Sequence, residues 1–294
     1  MSRIVMFDDG CGFVLRDRQV GGEWVEFCTK LDGWIEGSDI RSESVPRITD
    51  GGFPSVTWRA ERKFTVAFSQ WCDSRAELLA RARTASGTFR SGSIGGGVIT
   101  VDDPDSGVLS SLDVSLDGRP KVLHNEQTCR LDVELPLISP DPYLYGDPQV
   151  SRAVTGNAGQ GLEYPLFDDQ ETGTTTGVLE YGDIPLPPVE LTNGGNATAY
   201  PVVEVSGNFP AGFVLDITSG GQTFGVTYNA TVGNAAAVVD MSGSVTVAGV
   251  DQSWALTRRD WGGVEPGRQM TFSLRSISAE GSGYGTATLR ATYL

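Results

Sequence analysis

The stretch Leu135-Pro136-Leu137-Ile138-Ser139-Pro140-Asp141-Pro142-Tyr143-Leu144-Tyr145-Gly146 lies near the middle of the 294-residue chain and separates two halves of different composition. It holds three prolines within seven residues, each of which fixes φ and favours an extended conformation in the residue before it. This pattern predicts that neither a helix nor a central strand runs through the segment. We therefore expect two domains, residues 1–145 and 146–294, each long enough to bury its own core.

The composition predicts an all-β protein with one helix. Glycine is abundant at 38 residues, and the apolar segments are short and rich in Val, Thr and aromatic residues. A net charge of −15 argues against binding nucleic acid by neutralising phosphates, because that mode needs a dense Lys/Arg surface. The chain has neither a recognisable signal peptide nor a run of 18 apolar residues, so we expect synthesis in a cytoplasm and no membrane insertion.

The first half alternates strand-like runs with turn signals. The predicted strands are 3–7, 12–16, 24–28, 55–59, 62–68, 98–101, 109–116 and 128–136. Residues 31–47 are too polar and turn-rich for a core element. They are predicted to cross a surface as a long loop, and loops of this length are often interaction elements.

One segment, from about Ser74 to Ala85, is predicted to be helical. Ser74 and Glu77 have the spacing of a capping box, and Gly87 is a plausible stop. The predicted apolar face consists of Ala76, Leu79, Ala80 and Arg83, broadened by Leu78 and Ala82. Three arginines, at positions 75, 81 and 83, are interpreted as the solvated face of the helix rather than as a binding stripe.

The second half contains short strands separated by turns, at spacings typical of a β-sandwich. The predicted strands are 189–192, 200–206, 213–218, 222–228, 236–240, 244–247, 253–257, 269–274 and 285–293. Tight turns are predicted at Asn193-Gly194, Ser219-Gly220-Gly221, Ser242-Gly243 and Pro266-Gly267, where glycine or a preset φ suits the connection.

The chemistry-bearing residues predict no catalytic, cofactor-binding or metal site. The only histidine, His124, is expected in a loop and lacks a nucleophile motif. The carboxylate pairs Asp102-Asp103 and Asp168-Asp169 lie on adjacent positions, which point to opposite faces when they are in a strand. The turn 102–107 does not have the spacing of a calcium loop. The four cysteines, at positions 11, 28, 72 and 129, are interpreted as buried free thiols in preference to a disulfide framework or a metal site.

Several segments, taken in order, resemble the distal tail proteins of long-tailed, non-contractile (siphovirus-type) bacteriophages. In the first half the resemblance lies in the polar stretch ending Val45-Pro46-Arg47, the turn Asp50-Gly51-Gly52, the strand 62–68 and the helix after it. The junction 139–146 is similar to the segment that leaves the family's first domain. In the second half the similar segments are 191–207, Val238-Val239-Asp240 and 264–272.

The resemblance covers nearly the whole chain and implies a structural role. It implies an N-terminal, β-barrel-like belt domain (1–145) with one amphipathic helix, and a C-terminal galectin-like β-sandwich (146–294). Six copies would form a ring that joins the tail tube protein to the tail hub, with receptor-binding or accessory proteins as further partners. The stretch 31–47 would contact a neighbouring subunit or the tube, and DNA would pass through an acidic lumen without specific binding. The implied location is the virion, assembled in the host cytoplasm.

The alternative function is a carbohydrate-binding adhesin that recognises host envelope glycans. Trp254, Trp261 and Tyr284 are the candidate stacking platforms. The second half has no histidine, unlike the sugar-binding set of galectins, and tryptophans in a sandwich more often belong to the core.

Overall fold

A computed structural model describes residues 4–8, 14–16, 27–42, 45–48, 50, 52–53, 57–89, 96–103, 108–155, 161–162, 179–180 and 190–294. The chain divides into two compact units. The N-terminal unit comprises Met1–Asp147 and Thr292–Leu294, and the C-terminal unit comprises Pro148–Ala291. The predicted all-β fold with one helix is confirmed.

The described residues of the first half form one helix, α1 (Arg75–Gly87), and thirteen strands. The strands are β1 (Ile4–Asp8), β2 (Val14–Arg16), β3 (Phe27–Asp32), β4 (Ile40–Ser42), β5 (Val45–Pro46), β6 (Gly52–Phe53), β7 (Thr57–Arg59), β8 (Arg62–Trp71), β9 (Gly97–Asp103), β10 (Val108–Leu116), β11 (Lys121–Asn125), β12 (Arg130–Ser139) and β13 (Leu144–Val154).

The sheet of the N-terminal unit closes on itself. Neighbouring strands follow the order β12-β8-β3-β2-β1-β9-β10, and β10 pairs again with β12 through Ser115 with Ile138 and Leu116 with Leu137. Seven strands therefore form a closed cycle, with β11 added on the other side of β12. Closure removes the open edges that an isolated sheet would expose.

Alternating apolar residues of β8 and β12 fill the interior of this barrel. Phe64, Val66 and Phe68 on β8 are buried, as are the alternating leucines and valine of β12 at positions 131, 133, 135 and 137. They belong to a single apolar cluster that also includes residues of β1, β9, β10 and α1. Side chains of one face therefore fill the interior, as the period-2 pattern predicts.

The helix begins close to its predicted start, but it buries only part of the predicted face. Ser74 is the N-cap, and its Oγ accepts a hydrogen bond of 3.2 Å from the amide of Glu77. Leu78 and Ala85 are buried, whereas Ala76, Ala80 and Arg83 are exposed. The predicted face is therefore correct at Leu78 and Ala82, which lie in or against the core, and wrong at Ala76, Ala80 and Arg83. The reason is that α1 packs against β11 and β12, which places Leu78 and Ala85, seven residues apart, towards the core.

As predicted, no single strand runs through the whole proline-rich junction: β12 ends at Ser139 and β13 begins at Leu144, although β12 extends three residues beyond the predicted strand end at Pro136. β12 continues through Pro136, which pairs with Thr65 of β8. The carbonyl of Pro136 accepts from the amide of Asp117 at 2.9 Å, so its nitrogen also points to that side and not towards β8. The missing N–H of Pro136 therefore removes no hydrogen bond to β8. On its other side, β12 pairs with β11 before this proline and with β10 after it, so the proline lies at the change of partner strand.

Other predictions for the first half need correction. Trp34, within the supposedly coreless stretch 31–47, is buried. His124 lies in β11, where it pairs with Leu131, instead of in a loop. β11 was not predicted, because its side chains are mostly exposed and polar.

The remaining strands are β14 (Gly161–Leu162), β15 (Leu179–Glu180), β16 (Leu191–Thr192), β17 (Val202–Asn208), β18 (Phe213–Ser219), β19 (Gln222–Tyr228), β20 (Ala237–Asp240), β21 (Ser244–Val247), β22 (Val250–Asp251), β23 (Leu256–Asp260), β24 (Gln269–Ser276) and β25 (Ser282–Tyr293). The predicted strand 253–257 is replaced by a 3₁₀ turn, Ser253–Ala255, followed by β23.

The C-terminal unit is a two-layer sandwich. One sheet has the order β13-β25-β17-β20-β21-β22 and the other β16-β24-β18-β19-β23. The inner faces share one apolar cluster, which includes the fully buried Phe209, Phe213 and Tyr228. The sandwich inferred from the sequence is therefore confirmed.

Asn193 connects the two C-terminal segments on which the sequence resemblance rests. Its Nδ2 donates to the carbonyls of Ala197 at 2.7 Å and Val264 at 2.8 Å, and its Oδ1 accepts from the amide of Gly195 at 3.0 Å. Its backbone also pairs with Gly267 and Arg268. Residues 191–207 and 264–272 are thus held together by one fully buried asparagine.

Candidate interaction surfaces

The N-terminal unit carries a β-hairpin that we call the arm, which the structure describes at residues 39–42, 45–48, 50, 52–53 and 57–60. β4 pairs with β7 and β5 pairs with β6, so the two strands run antiparallel in two short ladders. The amide of Ala60 donates to the carbonyl of Asp39 at 2.8 Å and closes the base. Much of the predicted loop 31–47 is therefore paired, with its partner strand supplied by residues that follow it.

The arm and the loop before it expose large apolar side chains. Ile35 is 75% exposed and Trp58 46%, while Ile40 and Ile48 are also largely exposed. A two-stranded ribbon is only marginally stable alone, and side chains of this size on its surface carry an unfavourable hydration free energy. These features are typical of a surface that is covered by another protein.

Charged groups accompany these apolar side chains. Nη2 of Arg41 donates to both carboxylate oxygens of Glu61 at 3.0 Å. Both partners of this pair are substantially exposed, so it contributes less than about 1 kcal/mol to stability. Its main effect is to orient Arg41 across the face that it shares with Trp58, its partner in the ladder.

The loop that leads into the arm is anchored in the barrel core. The buried ring of Trp34 packs edge-on against Phe64, with centroids 5.2 Å apart. Gly33 precedes it with φ +84°, and a Cβ at that position would lie 2.7 Å from the carbonyl oxygen of Lys63. The loop therefore needs glycine at position 33 for both backbone conformation and space.

Arg62, the first residue of β8, supports the base of the arm from inside. Its side chain is fully buried; Nε donates to the carbonyl of Pro142 at 2.9 Å and Nη1 donates to the carbonyl of Trp34. Within the part of the chain that the structure describes, Nη2 has no hydrogen-bond partner. Burial lowers the pKa of Arg62, an effect that Arg59 strengthens and that Asp141 and Glu36 oppose.

The junction segment is a turn fixed by side-chain hydrogen bonds. The amide of Asp141 donates to Oγ of Ser139 at 3.2 Å, and the amide of Tyr143 donates to Oδ1 of Asp141 at 3.0 Å. The hydroxyl of Tyr145 donates to Oδ2 of the same carboxylate at 2.6 Å. Asp141 thus holds the turn between β12 and β13, an arrangement typical of Asx turns.

The three aromatic residues of the adhesin hypothesis lie on separate elements, and no ring contact joins these three described side chains. Trp254 is in the 3₁₀ turn and is 73% exposed. Trp261 is partly buried and packs against the sandwich core. The ring of Tyr284 is covered by the guanidinium of Arg152, 3.6 Å from its centroid. The arrangement does not form one stacking platform.

Trp261 also borders a shallow cleft at one end of the sandwich. Its polar lining includes Thr223, Asp260, Glu265 and Arg268. Arg268 also borders a second depression, beside Thr192 and Met270. Such mixed linings can bind polar ligands, although no charged side chain of this cleft is deeply buried.

The candidate chemical groups are otherwise dispersed. His124 is exposed on β11, and Asp102 and Asp103 are consecutive residues of β9. Asp168, Asp169, Cys11 and residues 104–107 lie outside the described residues. Over the described positions, no cluster of three or more His, Cys, Asp or Glu residues has the arrangement of a metal site.

Among the described residues, no helix is long and apolar enough to cross a bilayer.

Among the cysteines, Cys72 is buried, and Cys28 and Cys129 are partly buried; Cys72 and Cys129 are free thiols. The structure places Cys72 and Cys129 on adjacent strand ends, a proximity that the sequence analysis missed. Antiparallel pairing of the predicted strands 62–68 and 128–136 would have indicated it, because Cys72 follows the end of the first strand and Cys129 lies at the start of the second.

Comparisons with known proteins give similarity at the level of structure. No family model matches the chain, and no curated protein matches it by sequence. The SPP1 Dit (gp 19.1) protein, described as a paradigm of the hub adsorption apparatus in phages that infect Gram-positive bacteria, is 12% identical, with 99% of each chain covered and a TM-score of 0.56. The chain therefore shares the fold of a phage hub protein.

Two structures of the phage P2 baseplate in its activated conformation also match. The one with Ca is 9% identical, covers 99% of this chain and 98% of the other, and has a TM-score of 0.47. The one with Sr is 9% identical, covers 97% of each chain, and has a TM-score of 0.46.

Proposed function

We propose that this chain is a structural component of a bacteriophage tail tip, a distal tail protein of the siphovirus type. The fold that it shares with the SPP1 hub protein over 99% of both chains supports this proposal. The sequence resemblance supports it independently, because its segments occur in order through both units. We expect the protein to be located in the virion, after assembly in the host cytoplasm.

The N-terminal unit forms a ring of six copies in this proposal, and the observation that carries it is the arm. An exposed ribbon bearing Ile40, Ile48 and Trp58 gains stability when a second surface covers it. In a ring the arm of each copy would lie on its neighbour, and every arm would be covered once. Such a heterologous contact closes when the rotation between neighbours divides the circle evenly.

The remaining partners follow from the position of such a ring. One face would contact the tail tube protein and the other the tail hub, with receptor-binding or accessory proteins attached outside. DNA would pass through the lumen without specific binding, consistent with a net charge of −15. We expect no enzymatic activity, no cofactor and no membrane insertion.

Cryo-electron microscopy of phage particles that contain this chain tests the proposal. We expect six copies in one ring between the last tube ring and the hub, with the arm of each copy against its neighbour. Location in the capsid or on the sides of the tail would contradict the proposal. Native mass spectrometry of the purified chain adds a test of self-association, with hexamers as the expected species.

A glycan-binding role is the second candidate, and the cleft beside Trp261 is the observation that favours it. Aromatic rings next to carboxylates and arginine are a common lining of sugar sites. Specific glycan-array binding by the purified chain, lost in Arg268→Ala, would support this role. Binding that is absent from the array, or unchanged in Arg268→Ala, would remove it.

A further inference from the structure

Cys72 and Cys129 lie directly opposite each other at the ends of two paired strands. The register of β8 and β12 pairs Trp71 with Arg130, and the next positions outward are the two cysteines. The amide of Cys72 donates to the carbonyl of Cys129 at 2.9 Å. Opposed residues of antiparallel neighbours have Cα atoms about 4.5–5.5 Å apart, which lies within the range that a disulfide bridges.

Both side chains also lie on the same side of the sheet. Cys72 belongs to the core cluster of the N-terminal unit, and Cys129 packs against that cluster while staying partly exposed. Opposed residues must share a face before their sulfur atoms can meet. The pair therefore has the strand register and the shared core cluster that a cross-strand bond requires.

Cys129 occupies a backbone position that usually holds another residue type. It is the last residue of the loop between β11 and β12 and has φ +47°, a left-handed conformation that favours glycine or asparagine. The side chain of Asn125 fixes this loop by accepting from the amides of Gln127 and Thr128. A cysteine held in this conformation, directly opposite a second cysteine, is the observation that points to a role for the thiol.

We propose that Cys72 and Cys129 form a modification site that closes to a cross-strand disulfide in an oxidising environment. Closure in the purified chain depends only on the geometry of the N-terminal unit. Closure after release from a reducing cytoplasm, where thiols stay reduced, rests in addition on the proposed virion location.

The reaction is a thiol–disulfide exchange with an oxidised low-molecular-weight disulfide such as glutathione disulfide. The Cys129 thiolate attacks one sulfur of the reagent, whose S–S bond breaks and releases one glutathione thiol. The Cys72 thiol then loses its proton and attacks the Cys129 sulfur, which releases the second glutathione. Two protein thiols are oxidised to one disulfide, and one glutathione disulfide is reduced to two thiols.

The environments of the two thiols set this order. Cys129 is partly exposed and reaches the reagent first. Burial raises the pKa of Cys72; the carboxylates of Glu77 and Asp73 and the neighbouring Cys129 add to this effect, and Arg81 opposes it. A buried thiol with a raised pKa suits the second step, because the Cys129 sulfur that it attacks is already next to Cys72.

The bond would attach the segment between β8 and α1 to the β11–β12 turn. Arg75 and Glu126 already join the same two regions with hydrogen bonds of 2.9 and 3.1 Å between their exposed side chains. The disulfide would join these two regions covalently near the core, so that their attachment would no longer depend on the exposed ion pair. It would also lower the conformational entropy of residues 72–129 in the unfolded chain.

Peptide mapping under non-reducing conditions tests the proposal. Reduced, purified chain is incubated with glutathione disulfide, and we expect a Cys72–Cys129 cross-linked peptide together with a rise in Tm on the order of 5 °C. Cys28→Ala should keep both results. Cys129→Gly, which suits the positive φ, should remain folded and lose both, as should Cys72→Ala.

Stable glutathione adducts without this cross-link, or cross-links made through Cys28 or Cys11 instead, would overturn the proposal. The mapping uses the isolated chain and does not depend on ring formation. A particle structure that contradicts the tail-tip role would therefore leave the disulfide result intact, and the reverse also holds.

Discussion

Nε of the buried Arg62 donates a hydrogen bond of 2.9 Å to the carbonyl oxygen of Pro142. The same guanidinium donates to the carbonyl of Trp34, at the start of the loop that leads into the arm. One side chain of β8 thus joins the base of the arm to the junction turn. A buried cation without a salt bridge among the described residues depends on these acceptors for its stability.

Replacing Arg62 with alanine should destabilise the N-terminal unit by about 3 kcal/mol. The substitution leaves the carbonyls of Trp34 and Pro142 without their donor and opens space in a packed region. Equilibrium unfolding in guanidinium chloride measures the loss. Arg41→Ala is the control, because it breaks an exposed ion pair with Glu61 and should cost less than about 1 kcal/mol. Equal losses in the two variants would contradict the anchoring role of Arg62.

Asp141→Ala should destabilise the junction turn by about 2 kcal/mol, because it removes the acceptor for both Tyr143 and Tyr145. Tyr145→Phe removes only one of these hydrogen bonds and should cost about 1 kcal/mol. The same unfolding measurement compares the two variants. If Tyr145→Phe costs as much as Asp141→Ala, the bond to the Tyr143 amide contributes nothing.

Trp58→Ala should weaken self-association at least about tenfold while leaving the free energy of unfolding within about 0.5 kcal/mol of the parent value. Trp58 is exposed in the isolated chain, so its truncation removes contact area only when a partner covers the arm. Sedimentation analysis across a concentration series measures the association. Leu123→Ala, exposed on β11 outside the arm, should associate normally. Normal association of Trp58→Ala would exclude the arm from the subunit contact.

Acidification should remove a stabilising contribution from the sandwich at Asp216. Burial acts to raise the pKa of this carboxyl, but hydrogen bonds from Arg258 and Arg275 outweigh it and hold the pKa below its ordinary value. Because the pKa is lower in the folded state, the contribution is present above about pH 4 and is lost as pH falls through the folded-state pKa.

Asp216→Asn should therefore cost about 1 kcal/mol at pH 7 and progressively less below pH 4. Urea unfolding across pH measures this difference. Glu265→Gln, at an exposed position in the same unit, is the matched control and should change the free energy of unfolding at pH 7 by less than about 0.5 kcal/mol. A loss for Asp216→Asn that stays constant with pH would contradict the assignment.

The sequence predicted most of the sandwich because its strands alternate apolar and polar residues between turn signals. β18, β19 and β24 begin at their predicted first residues for that reason. The arm was harder to predict, because its strands are only two or three residues long. β4 and β7 are also largely exposed, so no buried face produces an alternating pattern along them.

Pairing between segments that are distant in sequence could not be predicted either. Pro136 fits within β12 only because the neighbouring strand on one side of β12 changes there from β11 to β10. The position of this change depends on where β10 and β11 end. The burial of Arg62 likewise depends on two carbonyls far from it in sequence, Trp34 and Pro142. Local propensity contains neither relationship.

Asn193 shows the same limit within the sandwich, since Asn193-Gly194 was predicted only as a tight turn. The side chain is fully buried, and its amide satisfies the carbonyls of Ala197 and Val264. Asn193→Ala should cost about 3 kcal/mol, because both carbonyls and the amide of Gly195 then lose a buried partner.

Asn229→Ala is the matched control for that substitution, because Asn229 is an exposed asparagine in the same unit. It should change the free energy of unfolding by less than about 0.5 kcal/mol. Thermal and urea unfolding compare the two variants. A cost for Asn193→Ala as small as that of Asn229→Ala would show that residues 191–207 and 264–272 are held together by their strand pairing, Leu191 with Met270 and Ala199 with Val264, instead of by this side chain.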